Sequence, residues 1–152
     1  MNHKLLALLF CSFCLSAICQ TKNSSYNQSL ADSLGSDEYG MKTYIFVILK
    51  TGSAKIEDKK TLDSLFKGHM ENIGSLVNKG KLIVAGPLIK NDKSYRGIFI
   101  LNVKTIEEAN TLLQTDPTIQ QKVLEAEVFK WYGSAALPMY LPFHDKIQKK
   151  KI

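Results

Sequence analysis

The sequence predicts an α+β protein with a ferredoxin-like βαββαβ domain. Three observations carry this. Four short runs of β-branched, aromatic and aliphatic residues alternate with two helical stripes in the order β-α-β-β-α-β. Glycine, proline and asparagine mark most of the breaks between them. The chain has 152 residues, 45% of them hydrophobic and 22% charged, which fits one soluble domain rather than two.

Taken in order, the first strand is predicted over residues 43–49 (TYIFVIL), ended by Gly52 and Ser53. The first helix follows from Leu62, Leu65, Phe66, His69, Ile73, Leu76 and Val77, which fall on one stripe of a 3.6-residue period. Gly80 stands where a left-handed cap would stop that helix. Residues 82–85 form a short second strand, ended by Gly86-Pro87. Residues 91–94 form a polar turn, and residues 97–103 (GIFILNV) the third strand. Thr105 and Glu108 have the spacing of a capping box before a second helix with Ile106, Ala109 and Leu113 on one face. Asp116-Pro117 breaks that helix and suits the N-cap and first position of another turn. The last strand is predicted over residues 125–132.

In this arrangement both helices cover one face of a four-stranded antiparallel sheet. Strands one and three are apolar on both faces, however. Ile45, Val47 and Leu49 alternate with Tyr44, Phe46 and Ile48; Phe99 and Leu101 alternate with Ile98 and Ile100. A sheet face open to water should alternate with polar residues. The second face is therefore expected to be covered, and a second subunit is the simplest cover: a homodimer joined through the sheets.

The ends read differently. Lys4 and the apolar run that follows it up to Cys19 have the form of a signal peptide over residues 1–19, too short to span a bilayer. Ala17 and Cys19 sit at −3 and −1 of a cut before Gln20. The alternative is a lipoprotein acylated at Cys19, which the bulky Ile18 disfavours. The protein is thus expected to be exported, periplasmic or secreted, with no membrane span. All three cysteines, Cys11, Cys14 and Cys19, lie in this segment. Such a cut leaves no thiol for disulfides, nucleophilic catalysis or metal binding. Residues 20–40 read as a flexible polar linker, residues 41–134 as the domain, and residues 135–152 as an extended segment with a basic tail. The formal charge of +6 falls to about +2 once Lys4 and the lysine-rich tail are set aside, so it is no nucleic-acid footprint.

Gly68-His69-Met70, Gly80-Lys81-Leu82, Ala85-Gly86-Pro87, Asp116-Pro117 and Trp131-Tyr132 resemble the YciI-like (YCII-related) family of the dimeric α+β barrel superfamily. The resemblance covers about residues 41–134. It implies a ferredoxin-like protomer, dimers joined through the sheets, and a pocket beside a His and an Asp that act as a catalytic dyad, here His69 and Asp116. By analogy the chemistry is metal-free and cofactor-free proton transfer, of isomerase or lyase type, on a small cyclic oxygenated molecule.

The residues themselves leave alternatives open. His69 lies on the apolar stripe, either as a hydrogen-bonded core histidine or as a general base; imidazole suits the latter because it changes charge near neutral pH. Asp116 is explained by capping alone or by capping plus catalysis. Gly86 and Pro87 shape a turn or let a ligand approach the backbone. Tyr95 and Arg96 open strand three, where Arg96 is either an exposed strand-end residue or a holder of an anionic substrate group. No metal-ligand spacing, phosphate loop or nucleophile elbow is present. The RNA-recognition motif shares the element order, but its stacking aromatics on strand three are replaced here by Ile98, Ile100 and Val103. Nucleic acid is excluded as a partner. A small-molecule enzyme and a non-catalytic ligand-binding or structural dimeric module remain.

Overall fold

The computed structural model describes residues 23–150. The segment read as a signal peptide, and the cut expected before Gln20, lie outside these residues.

Helix α1, Gln28–Leu34, precedes the domain. The sequence led us to expect a linker here, because the segment has no apolar period. Capping explains the difference. The Asn27 side chain accepts a hydrogen bond from Leu30 N, and Gly35 closes the helix with φ 67°. The turn after it is tied to the sheet by a hydrogen bond from the Tyr132 hydroxyl to Asp37.

The domain then runs β1 Met41–Thr51, α2 Lys59–Asn78, β2 Leu82–Pro87, β3 Tyr95–Leu101, α3 Ile106–Leu113, α4 Pro117–Gln120 and β4 Leu124–Ser134. The four strands form one antiparallel sheet in the order β2-β3-β1-β4, the ferredoxin-like topology. Helix α2 starts at Asp58, whose carboxylate accepts from Thr61 N. It ends in a Schellman pair, Lys81 N to Leu76 O and Gly80 N to Val77 O, with Gly80 at φ 65°. Only half of the expected capping box forms. Thr105 accepts from Glu108 N, while the Glu108 carboxylate turns away to Lys81 at 2.9 Å. Gly86 and Pro87 do not lie beyond β2 but form its last two residues, paired with Ile98 and Gly97. Proline is tolerated because β2 is an edge strand.

One face of the sheet carries the main core. Ile45, Val47, Leu49, Leu82, Phe99 and Leu101 meet Leu76, Ala109 and Leu113 of the helices. The other face holds a second cluster of Tyr44, Ile83 and Ile100. Its cover comes in part from the chain's own C-terminal segment. A 3₁₀ turn, Leu137–Tyr140, and helix α5, Leu141–Ile147, place Leu137 and Leu141 on this cluster. The Tyr140 hydroxyl bonds Ile83 O, and the Tyr44 hydroxyl bonds Ser134 O. This corrects the reading of residues 135–152 as extended. Pro138 and Pro142 stand in first turns, where a missing N–H costs nothing, so they start helices rather than prevent them. Phe129 and Trp131 of β4 stay exposed. Among the described residues no helix is long and apolar enough to cross a membrane.

Candidate active site

The candidate site is built from helix α2 and the N-cap of α4. The stripe that buries α2 points His69 at the sheet, where its ring stacks on Phe99 with centroids 6.0 Å apart and meets the edge of Phe66. Asp116 caps α4, which packs against α2. The approach is close because residue 68 is glycine: a Cβ there would stand 2.7 Å from Pro117 Cγ.

The carboxylate serves both helices. Oδ1 accepts from Thr118 N at 2.9 Å and from the Thr118 hydroxyl at 2.6 Å. Oδ2 lies 2.5 Å from His69 Nδ1. The two explanations of Asp116 left open by the sequence, cap and histidine partner, thus hold together, one oxygen each. The trio is buried, with His69 8% exposed, Asp116 1% and Thr118 0%. Burial pushes the Asp116 carboxyl up, but the hydrogen bonds from His69 and Thr118 outweigh it and hold it below the usual carboxylate range. The group is therefore an anion at neutral pH. As acceptor from Nδ1–H it sets the tautomer that leaves Nε2 with a lone pair.

Nε2 has no hydrogen-bond partner among the described residues, and no buried side-chain nitrogen or oxygen lacks one. Nε2 is therefore the open side of the ring. His69 lines a cavity of about 420 Å³ walled by Leu49, Phe66, Met70, Ile73, Phe99 and Leu124, with Ala85, Gly86, Pro87, Arg96 and Gly97 along the β2–β3 edge. A volume of this size suits a small molecule.

Of the residues singled out from the sequence, His69, Gly86, Pro87 and Arg96 share this cavity, and Asp116 backs it through His69. Tyr95 does not join them. It lines a neighbouring hollow with Leu88, Asn91 and Ser94, which Pro87 and Arg96 also border, and its main chain is held by the Asn91 side chain. A register shift between Leu49 and Lys50 puts β3 out of simple alternation at that point, which the sequence does not announce. Sequence reasoning missed Thr118. Its signal was the Asp-Pro-Thr run, in which a hydroxyl two residues after an N-cap can bond the capping carboxylate. It also missed Phe66 and Phe99 as ring walls, since both read equally as core. No group of three or more His, Cys, Asp or Glu among the described residues is placed to hold a metal.

Comparison with family models matches residues 41–132 to the YCII-related domain. The chain belongs to the YCII-related domain family. No curated protein matches. One similar solved structure is 5-chloro-2-hydroxyhydroquinone dehydrochlorinase from Burkholderia phenoliruptrix AC1100 in complex with 2,5-dihydroxybenzoquinone. It is 19% identical, covers 57% of this chain and 92% of its own, and has a TM-score of 0.41. The match to the YCII-related domain takes in every strand but the last two residues of β4, both core helices and all three members of the buried trio.

Proposed function

We propose that this YCII-related protein moves a proton on a small, cyclic, oxygenated molecule held beside His69. One observation carries the reading. A buried carboxylate holds Nδ1 of a histidine that lines a largely apolar cavity and whose other nitrogen has no protein partner among the described residues. Such a nitrogen is a general base in a water-poor site. In the reaction Nε2 takes a proton from a carbon next to a carbonyl, and the substrate becomes an enolate. The imidazolium that forms is stabilised by Asp116. Returning the proton to another carbon gives an isomer; expulsion of a leaving group from the enolate gives a lyase product. The walls Phe66 and Phe99 suit a flat ring. We place the activity outside the cytoplasm, on the strength of the positive n-region and short apolar run at the N-terminus.

The test is proton exchange in D2O, followed by NMR, over a panel of lactones, cyclic hydroxy acids and hydroxyquinones. The wild type is expected to exchange a C–H of at least one of them. His69→Ala and Asp116→Asn, with the fold checked by circular dichroism, are expected to slow that exchange by about 100-fold or more. Unchanged exchange in His69→Ala would overturn the reading. Ring binding beside His69 with no exchange at all would make the protein a ligand-binding module.

A further inference from the structure

A second hollow adjoins the His69 cavity. It encloses about 320 Å³ and is lined by Thr51, Ala54, Lys55, Ile56, Leu62 and Val123, together with Phe66, Arg96 and Leu124. The last three residues also wall the His69 cavity. The two spaces are thus neighbours with three lining residues in common; the one beside the base is called the inner chamber and the other the outer.

Charge is distributed unevenly over the pair. The inner chamber has Arg96 as its one permanently charged lining residue, and the outer has Arg96 and Lys55. No Asp or Glu lines either. The described carboxylates that form ion pairs do so with Lys50, Lys59, Lys67, Lys81 and His69, so neither Arg96 nor Lys55 is neutralised by a salt bridge among the described residues. Arg96 borders both spaces, and the hollow of Tyr95 as well. A cleft with apolar walls and cations of one sign focuses a positive potential inside it. A guanidinium is also matched in shape to a carboxylate.

From this we infer that the natural ligand is an anion in two parts: a ring in the inner chamber against His69, and a carboxylate on a short arm that reaches Arg96, with Lys55 of the outer chamber as the second cation. The inference rests on the proposed use of the His69 cavity and adds the class of substrate. It ranks neutral rings and cationic ligands below anionic ones. It also assigns Lys55, in the loop before α2, a place in recognition that neither its position in the sequence nor the His–Asp pair suggests. Both cations are exposed, so salt screens their attraction and the preference is moderate rather than absolute.

Matched probes test this without the natural ligand: 3-phenylpropanoate against 3-phenylpropanamide, with phenol as the armless ring, titrated by NMR into the native protein. The expected result is a carboxylate bound about tenfold tighter than the amide, with the His69 ring signals shifting for both. The ratio is expected to fall toward one in Arg96→Met, to fall partway in Lys55→Met, and to shrink in 0.5 M NaCl. Equal affinity for the two probes, or a carboxylate preference untouched by Arg96→Met, would overturn the inference. So would failure of both to bind. A carboxylate preference that depends on Arg96, in a protein that never exchanges a substrate proton, would leave this inference standing and sink the proton-transfer reading. Phenol shifting His69 with no gain from the carboxylate arm would do the reverse.

Discussion

At the scale of single residues, the site depends on how one carboxylate is shared. Asp116 gives one oxygen to the α4 cap and the other to His69, and Thr118 holds the first oxygen in place through both its hydroxyl and its N–H. Under the proposed function Thr118 is a positioning residue. Thr118→Val keeps the shape but removes one donor from a buried anion. It is expected to cost about 1–3 kcal/mol in denaturant unfolding and to lower kcat more than it raises KM, with Thr118→Ser restoring both. A purely structural threonine would give the stability loss with kcat intact. Acid stability follows from the same geometry. The Asp116 carboxyl is held below its ordinary value, so its contribution is present above about pH 4 and is lost as pH falls through its lower folded value. Unfolding midpoints measured from pH 6 down to pH 2 are expected to drop less steeply for Asp116→Asn than for the wild type.

Elements meet at this site because of one missing side chain. Helix α4 comes close to α2 at Gly68, where a Cβ would press on the Pro117 ring. That ring is fixed to the backbone and cannot swing aside. Gly68→Ala is expected to destabilise the fold by about 1–3 kcal/mol, despite alanine's better helix propensity. It should also lengthen the His69–Asp116 contact, read as a change in the His69 ring shifts. A neutral or stabilising effect would show that α4 can move without consequence. The sequence placed both α2 and α4 correctly from period and capping. It was silent on their contact, because a glycine within a helical stripe has no side chain to mark it.

For the whole molecule, the second sheet face decides assembly. Leu137 and Leu141 cover Tyr44, Ile83 and Ile100, while Phe129 and Trp131 remain exposed at its other side. The expected outcome of light scattering at micromolar concentration is a dimer, with Phe129→Lys shifting it toward monomer. A monomer mass in the wild type would show that the chain's own C-terminal segment is cover enough. At the other end, N-terminal sequencing of the native protein is expected to begin at Gln20. A diacylglyceryl group on Cys19 would make it a lipoprotein instead.

What the sequence determined by itself was whatever is written in local periods and caps. The strands through TYIFVIL and GIFIL, the stripe from Leu62 to Val77, the Gly80 stop and the Asp116 cap are all set by interactions within a few residues, and so was the two-sided apolar character of the sheet; the third strand runs two residues earlier than expected, from Tyr95 to Leu101. The motifs spread along those elements were enough to point to the family. Only tertiary structure decided what those elements face. His69 and Asp116 are 47 residues apart, and no local rule brings an imidazole to one oxygen of a capping carboxylate. The same holds for Leu137 and Leu141, whose flanking prolines read as chain breakers until the sheet supplied an apolar surface for short helical turns to bury against. Local propensity chooses between states that differ by a fraction of a kcal/mol per residue. Burial of a single large side chain is worth about 1.5–3 kcal/mol, and where the two disagree it is burial that decides.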